Sequence, residues 1–211
     1  MPPAPVEVAL TVRPRTRIDL VDVRRRVSET HGDVLEPFPR ALYSSFHTTA
    51  GYLDQSLATR LNRRLGGLGS YLSFFREVFP EGAGYKHDQL DLREELSEAQ
   101  RRTEPRNADS HLAFISAGLR SCVTYRGRNG EPVYFIDLDG VHRGRARQRV
   151  TTVLGYNAEE EVARDRVTVP MSAHAVESVS LKDPRFGVFE RCEELIRRHG
   201  VDKGRVRLTL G

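Results

Sequence analysis

The chain has 211 residues, 33 of them Lys or Arg against 29 Asp or Glu, for a formal charge of +4, which is enough length for one large domain, or a domain with an appendage. No stretch reaches the apolar length that spans a bilayer, and Met1-Pro2-Pro3-Ala4-Pro5 lacks the parts of a signal peptide, so the expectation is a cytoplasmic protein with no membrane partner. Cys122 and Cys192 stand alone and far apart, against a disulfide framework or a paired-cysteine metal knuckle, while the predominance of arginine suits phosphate on either a small molecule or nucleic acid.

Val6, Val8, Leu10 and Val12 alternate as a half-buried strand does. From Ile18 to Thr30, Leu20, Val23 and Val27 recur at helical spacing around Arg24, Arg25 and Arg26, which predicts an amphipathic helix ended by Gly32. Beyond Pro37 and Pro39, Ala41 to His47 reads as a strand with Leu42, Tyr43 and Phe46 as its bulky members. It runs into His47-Thr48-Thr49-Ala50-Gly51, where small residues and hydroxyls admit a ligand close to the backbone, or merely turn the chain into the helix that Leu53, Leu57, Leu61 and Leu65 predict. Gly66, Gly67 and Gly69 lack the lysine of a phosphate-binding loop and read as a connector to an amphipathic piece holding Leu72, Phe75, Val78 and Phe79. A loop at 80–84 delivers Tyr85-Lys86-His87-Asp88, and Asp91 to Arg102 reads as an exposed, charge-rich helix or ordered insert.

Arg106-Asn107-Ala108-Asp109-Ser110-His111 opens the next helix, with Asn107 or Asp109 as N-cap and Gly118 as the stop. His111 then sits in the first turn, where free backbone N–H groups and the helix dipole favour an anion and a neutral imidazole. The plainer account is a capped helix with a packed histidine. Cys122 to Arg126 and Val133 to Leu138 flank an Asn-Gly turn and predict a hairpin. A further core strand is expected over Ala146 to Leu154. Arg143, Arg145, Arg147 and Arg149 fall at alternate positions, so one extended strand would present them as a phosphate-binding row, or as edge protection. The tail from Asn157 reads as a strand over Val167 to Leu181, a helix over Phe186 to His199 and a strand at Val206, Leu208 and Leu210. His174 and His199 in it read as structural.

His47, His87 and His111 all lie at junctions between predicted elements, and three converging imidazoles make a zinc-type site with an open position, Asp88 or Asp109 serving as fourth ligand or as an orienting group. His47-Thr48-Thr49-Ala50, Tyr85-Lys86-His87-Asp88, Asn107-Ala108-Asp109-Ser110-His111 and Asp137-Leu138-Asp139-Gly140 with its arginines, in that order over residues 5 to 155, resemble the signature blocks of the YjbQ-like family, described as secondary thiamine-phosphate synthases. The resemblance implies an α+β fold with a curved, mainly antiparallel sheet and helices packed on it, a core domain over 1–155, and a homotrimer. The extension over 156–211 is unmatched and is expected to cover the core or a subunit interface.

By matching position, the resemblance makes His47, His87, Asp109 and His111 catalytic, with His47, His87 and His111 as ligands of a divalent metal, zinc or magnesium. Thr48, Asn107, Arg143, Arg145 and Arg147 become substrate-binding. The chain departs from the family in having no tryptophan, reading Gly130-Glu131-Pro132-Val133-Tyr134 where a Gly-Thr-Trp-Gln block is common. It also has Asp139-Gly140-Val141-His142 in place of Asp-Gly-Pro-Arg. Three functions follow as expectations: a thiamine-phosphate synthase-like transferase acting on phosphorylated small molecules, a zinc-dependent hydrolase or lyase at the same histidines, and a non-catalytic module binding phosphate or nucleic acid.

Overall fold

The computed structural model describes residues 2–94, 96–127, 130–170, 181 and 183–209. The chain divides into two compact units, 1–158 and 159–211. Among the described residues no helix is long and apolar enough to cross a membrane.

The first unit is α+β, and its strands pair antiparallel throughout. One sheet takes strands β1 (Val6–Val12), β9 (Arg149–Tyr156), β3 (Arg40–Ser45) and β5 (Cys122–Arg126), in that order across the sheet. A second takes β2 (Asp19–Asp22), β6 (Tyr134–Asp137) and β4 (Ala50–Gly51), and a small ribbon joins β7 (Val141–His142) to β8 (Arg145–Ala146). The alternation that predicts β1 is realised: Val8, Leu10 and Val12 face inward while Glu7, Ala9 and Thr11 face out. β9 pairs with both β1 and β3 along its length and turns Arg149, Thr151 and Val153 inward. Two of those three are polar, and each is satisfied within the interior. The Thr151 and Tyr52 hydroxyls hydrogen-bond each other, and Thr151 Oγ1 also donates to the Ser44 carbonyl at 2.7 Å.

The core is aromatic as much as aliphatic. The Tyr43 ring lies 5.6 Å from Tyr52 and 5.7 Å from Tyr125, and Tyr52 lies 5.5 Å from Phe135, in tilted or edge contacts that suit aromatic quadrupoles. Burial pushes the Tyr125 phenol up to about 12, so it remains a donor, to the Leu53 carbonyl at 2.9 Å.

Several elements differ from the reading of the sequence. Residues 19–22 form β2 against β6, so Leu20 is a strand residue, and helix α1 (Val23–His31) starts at Asp22, whose carboxylate caps the Arg25 N–H. Gly32, at a φ of 68°, ends it. The leucine-rich stretch breaks into α2 (Gln55–Arg60) and α3 (Leu65–Val78), parted by Asn62 and Arg63 in the left-handed region. Gly66, Gly67 and Gly69 are therefore helical, and Gly67 is needed because a Cβ there would stand 2.6 Å from the Leu61 carbonyl oxygen.

The predicted hairpin is not formed, because β5 pairs with β3 and β6 with β2 and β4; local turn chemistry did not choose the partners. The charged insert carries α4 (Glu98–Thr103), started by a capping box between Ser97 and Gln100. Helix α5 (Ala108–Ser116) follows. In the second unit, α6 (Val188–Arg198) is the expected helix, whereas 167–170 and 201–209 form no strand. The remainder of the expected strand over Val167 to Leu181, apart from Leu181 itself, lies outside the described residues, as do His174 and Leu210.

Candidate functional site

The site gathers around the start of α5. Asn107 occupies the N-cap position, yet its side chain does not cap. Asp88 does so from a neighbouring 3-10 turn: its Oδ1 accepts the Ala108 N–H at 3.0 Å and stands 3.2 Å from His87 Nδ1. One carboxylate thus satisfies a free helix N–H and orients an imidazole, with the helix dipole favouring its charge. The His87 ring lies 5.0 Å from that of His111, one turn into α5. Burial, and His87 beside it, hold His111 below the ordinary imidazole range. It is therefore a neutral proton acceptor at pH 7.

Asp109 and Asn107 anchor the same turn. Arg17 Nη2 donates to both Asp109 oxygens, at 2.8 and 2.9 Å, and Arg17 also pairs with Glu81. Burial nevertheless raises the Asp109 carboxyl, against the pull of Arg17. Asn107, 4% exposed, donates through Nδ2 to Asp139 Oδ2 at 2.7 Å, which fixes its amide orientation and leaves its buried Oδ1 without a partner among the described residues. Ser110 donates to the Leu138 carbonyl at 2.8 Å. The first turn of α5 is thus bound to 137–139 at two points.

The 137–149 segment is held from below by a buried ion pair. Arg149 meets Asp137 through Nε at 2.6 Å and Nη2 at 2.9 Å, and Nη2 also donates to the Asp139 carbonyl at 2.8 Å. Asp139, 2% exposed, accepts from Arg147 at 2.9 Å. Gly140 permits the close passage of this loop: a Cβ there would overlap the Pro14 ring and stand 2.8 Å from the Thr16 carbonyl.

His47 is placed differently from the other two histidines. It bridges to Ala50 at the end of β3, and its Nε2 accepts the Val150 N–H at 2.9 Å. With Nε2 as acceptor, the neutral ring carries its proton on Nδ1. Burial, with Arg149 next, lowers its pKa, so this neutral form is the one present at pH 7. Thr48 beside it is exposed, and Thr49 is buried against Arg149.

The expected three-histidine metal set does not fit this arrangement. His47 commits the lone pair that a metal needs to Val150, and among the described residues no three His, Cys, Asp or Glu side chains are grouped to hold an ion. The expected arginine row is also broken. Arg143 and Gly144, with φ of 48° and 73°, make a two-residue turn between β7 and β8, so 143–149 is no single extended strand. Arg143 and Arg145 are exposed, Arg147 pairs with Asp139, and Arg149 is an internal strut.

Arg17 escaped the sequence reading entirely, since nothing near it in the chain marks it; Asp137 and Asp139 received no role, and Arg149 fell within the expected phosphate-binding row, whereas it is an internal strut. The acid pair Asp137-Leu138-Asp139 followed by alternating arginines was the available signal. Alternation does not say which arginine lies deepest.

No family model matches the chain, and no curated protein matches it. Among solved structures, it is similar to a YbjQ-like protein of unknown function from Sulfolobus solfataricus at 17% identity and a TM-score of 0.49, over 74% of this chain and 99% of that one. It is also similar to a hypothetical protein from Aeropyrum pernix at 20% identity and a TM-score of 0.48, over 72% and 99%. A third is an uncharacterized conserved protein of the YjbQ/UPF0047 family from Clostridium acetobutylicum, at 18% identity and a TM-score of 0.45, over 69% and 97%. The likeness is to YjbQ-like proteins. It spans nearly the whole of each of these structures.

Proposed function

We propose that the chain is a YjbQ-like enzyme of the secondary thiamine-phosphate synthase type, acting on a phosphorylated small molecule at the His87–His111 pair. The observation that carries this reading is the pair itself: two imidazoles 5.0 Å apart, one oriented by Asp88 and the other held neutral, beside the Asn107–Asp139–Arg147 cluster. A neutral imidazole with a second one beside it is placed to take up a proton, which suits acid–base work near pH 7. Three of the four sequence blocks that resemble the family supply every member of this cluster.

In the proposed reaction a thiazole phosphate nitrogen forms a bond to the methylene carbon of an aminopyrimidine methyl diphosphate. The carbon–oxygen bond breaks, and pyrophosphate leaves with the electron pair. The leaving group needs charge neutralised: Arg147 faces the anion, and His111, having taken a proton from water, passes it to the departing oxygen. Asp109, fixed by Arg17, holds the start of α5 in place. His47 contributes an Nδ1–H donor and no base. Assembly as a homotrimer belongs to the same proposal: Phe46, next to His47, and Ile115, on α5, are large apolar side chains left 69% and 74% exposed. Light scattering tests it.

Incubation of the full chain with both precursors and magnesium tests the reaction. The expected result is thiamine phosphate above a heat-killed control, lost in His87→Gln and His111→Gln. Product formed equally by those variants, or none from the wild-type chain, rules the reading out.

A further inference from the structure

Asp91 to Arg102 has the sequence of a solvated insert, yet Asp91, Arg101 and Arg102 from it line a cleft of about 590 Å³. Arg106, Asp139, His142 and Arg143 line the same cleft, and Arg143 reaches across to the Arg102 carbonyl at 3.2 Å. Asp139, on the lining, is bound to Asn107 at the start of α5, the helix that carries His111.

Three observations mark the cleft as a binding site. First, two buried polar atoms on its lining have no partner among the described residues, Arg101 Nε and His142 Nε2. Buried polar groups are nearly always paired, so two unpaired ones on residues that line a single cleft call for a partner. Second, the charges do not cancel. Arg17 is matched by Asp109 and Glu81, and the lining carboxylates of Asp139 and Glu104 already meet Arg147 and Arg93. Among the described residues Arg101, Arg106 and Arg143 pair with no carboxylate; Arg101 and Arg143 bond only to backbone, at the Arg93 and Arg102 carbonyls. Asp91 is the one lining carboxylate left to set against these three, so a surplus of about two positive charges remains. Third, Arg143 is held at a φ of 48°, a position that glycine or asparagine normally fills. The turn between β7 and β8 calls for that φ, but arginine is a costly residue to meet it, which gives its guanidinium a use beyond turning the chain.

We infer that this cleft anchors a phosphate monoester group of the ligand that does not itself react, gripped by Arg101, Arg143 and His142. A monoester carries close to two negative charges, which matches the surplus, and guanidinium forks suit its oxygens. The volume exceeds what one phosphate fills and lies in the range that encloses a small organic molecule, so the rest of the ligand extends along the cleft towards His111. The inference rests on the proposed function for its substrate class. It places the handle of that substrate between the insert, which supplies Arg101, and the β7–β8 turn, which supplies His142 and Arg143.

Titration of inorganic phosphate into the full chain, followed by calorimetry, tests this. Wild-type and His87→Gln chains are expected to bind it alike, while Arg101→Gln and Arg143→Asn each weaken binding about tenfold, the loss expected for one charge-assisted hydrogen bond. Arg143→Asn keeps the turn, since asparagine tolerates its φ, and thermal melting confirms the fold of both variants. Phosphate binding with no thiamine phosphate formed sinks the proposed reaction and leaves the anchor standing. Equal binding by the wild-type chain and both arginine variants, or no binding at all, overturns the anchor. So does a mixed-sequence oligonucleotide that displaces phosphate and is itself weakened by the same two substitutions, because the cleft would then be a nucleic-acid contact.

Discussion

Replacing Arg149 with methionine keeps an unbranched side chain and deletes the guanidinium that closes the site from below. Arg149 is 4% exposed and Asp137 1%, so neither charge has water to fall back on. The substitution removes two contacts to Asp137, one to the Asp139 carbonyl and one, at 3.3 Å, to Thr49 Oγ1. The Asp137 carboxylate keeps the Asp139 N–H at 3.0 Å as its remaining hydrogen bond. Breaking one partner of such a pair costs about 3–5 kcal/mol, and at about 2–4 °C per kcal/mol the melting temperature should fall by roughly 10 °C. The assay is unfolding followed by near-ultraviolet tyrosine absorption or dichroism. The chain has no tryptophan, and all seven tyrosines lie within residues 1–158, so the signal reports the first unit alone. Pairing Arg149→Met with Asp137→Leu should recover much of the loss, because the double variant leaves no orphaned buried charge. A loss under about 1 kcal/mol for Arg149→Met, or a double variant no better than the single one, would refute the buried strut.

Three further outcomes follow from the same geometry. Asp88→Ala removes the acceptor for the Ala108 N–H and the orienting partner of His87; it should cost about 1 kcal/mol in urea unfolding and lower kcat more than it raises KM. Gly51→Ala drives a methyl group into the Arg120 carbonyl oxygen, a backbone atom that cannot swing away, at a cost of about 1–3 kcal/mol, whereas Gly66→Ala, in open space on α3, should stabilise by about 0.5–1 kcal/mol. If the two glycine variants melt alike, the close approach at Gly51 is not real. Acid should destabilise the first unit: His111 and His47 are held below the value of about 6.5 that they take when unfolded, so the unfolded chain binds more protons as pH falls past it. Stability present above that pH is lost as pH drops through the lowered values, and His111→Gln should flatten part of the trend in urea midpoints between pH 7.5 and 5.5.

The elements that were legible from sequence are those whose pattern has one solution. Val8, Leu10 and Val12 fit period two and nothing else, and the helix at Asn107 to Gly118 has a start, an apolar face and a stop. Leu20 fitted both a helix ending at Gly32 and a strand, and pairing with Ile136, 116 residues further along, decided it. An Asn-Gly turn signals a hairpin only if its flanking strands prefer each other, and here Tyr125 pairs opposite Ala41 and Phe135 opposite Val21. At the site, His87 and His111 could be singled out because each sits at an element boundary beside hydrogen-bonding residues. That His47 would turn its Nε2 to Val150, and that Arg149 rather than Arg147 would be the deepest arginine, depend on the register of β9 against β3, which no local pattern carries.

The two sides of the site are built to different standards, and this bears on how the work is divided between them. On the histidine side the supporting groups are held at more than one point: Asp88 by helix and imidazole, Asp139 by Asn107 and Arg147, and the 137–149 loop by Arg149, by the Gly140 N–H to the Arg17 carbonyl at 2.7 Å and by the Arg147 N–H to the Gly140 carbonyl at 2.8 Å. Acid–base chemistry requires such fixity, since a misplacement of an ångström costs a large part of the rate. The cationic side has a six-residue helix whose Arg101 is tied to the Arg93 carbonyl, with Arg143 reaching the Arg102 carbonyl from the β7–β8 turn. Side chains of that length follow a charge rather than define its position. Under the proposed function, a fixed histidine pair beside an adaptable cationic side lets the ligand change without disturbing the chemistry, so divergence in substrate should fall in the arginines of the insert while His87, His111 and their supports stay as they are.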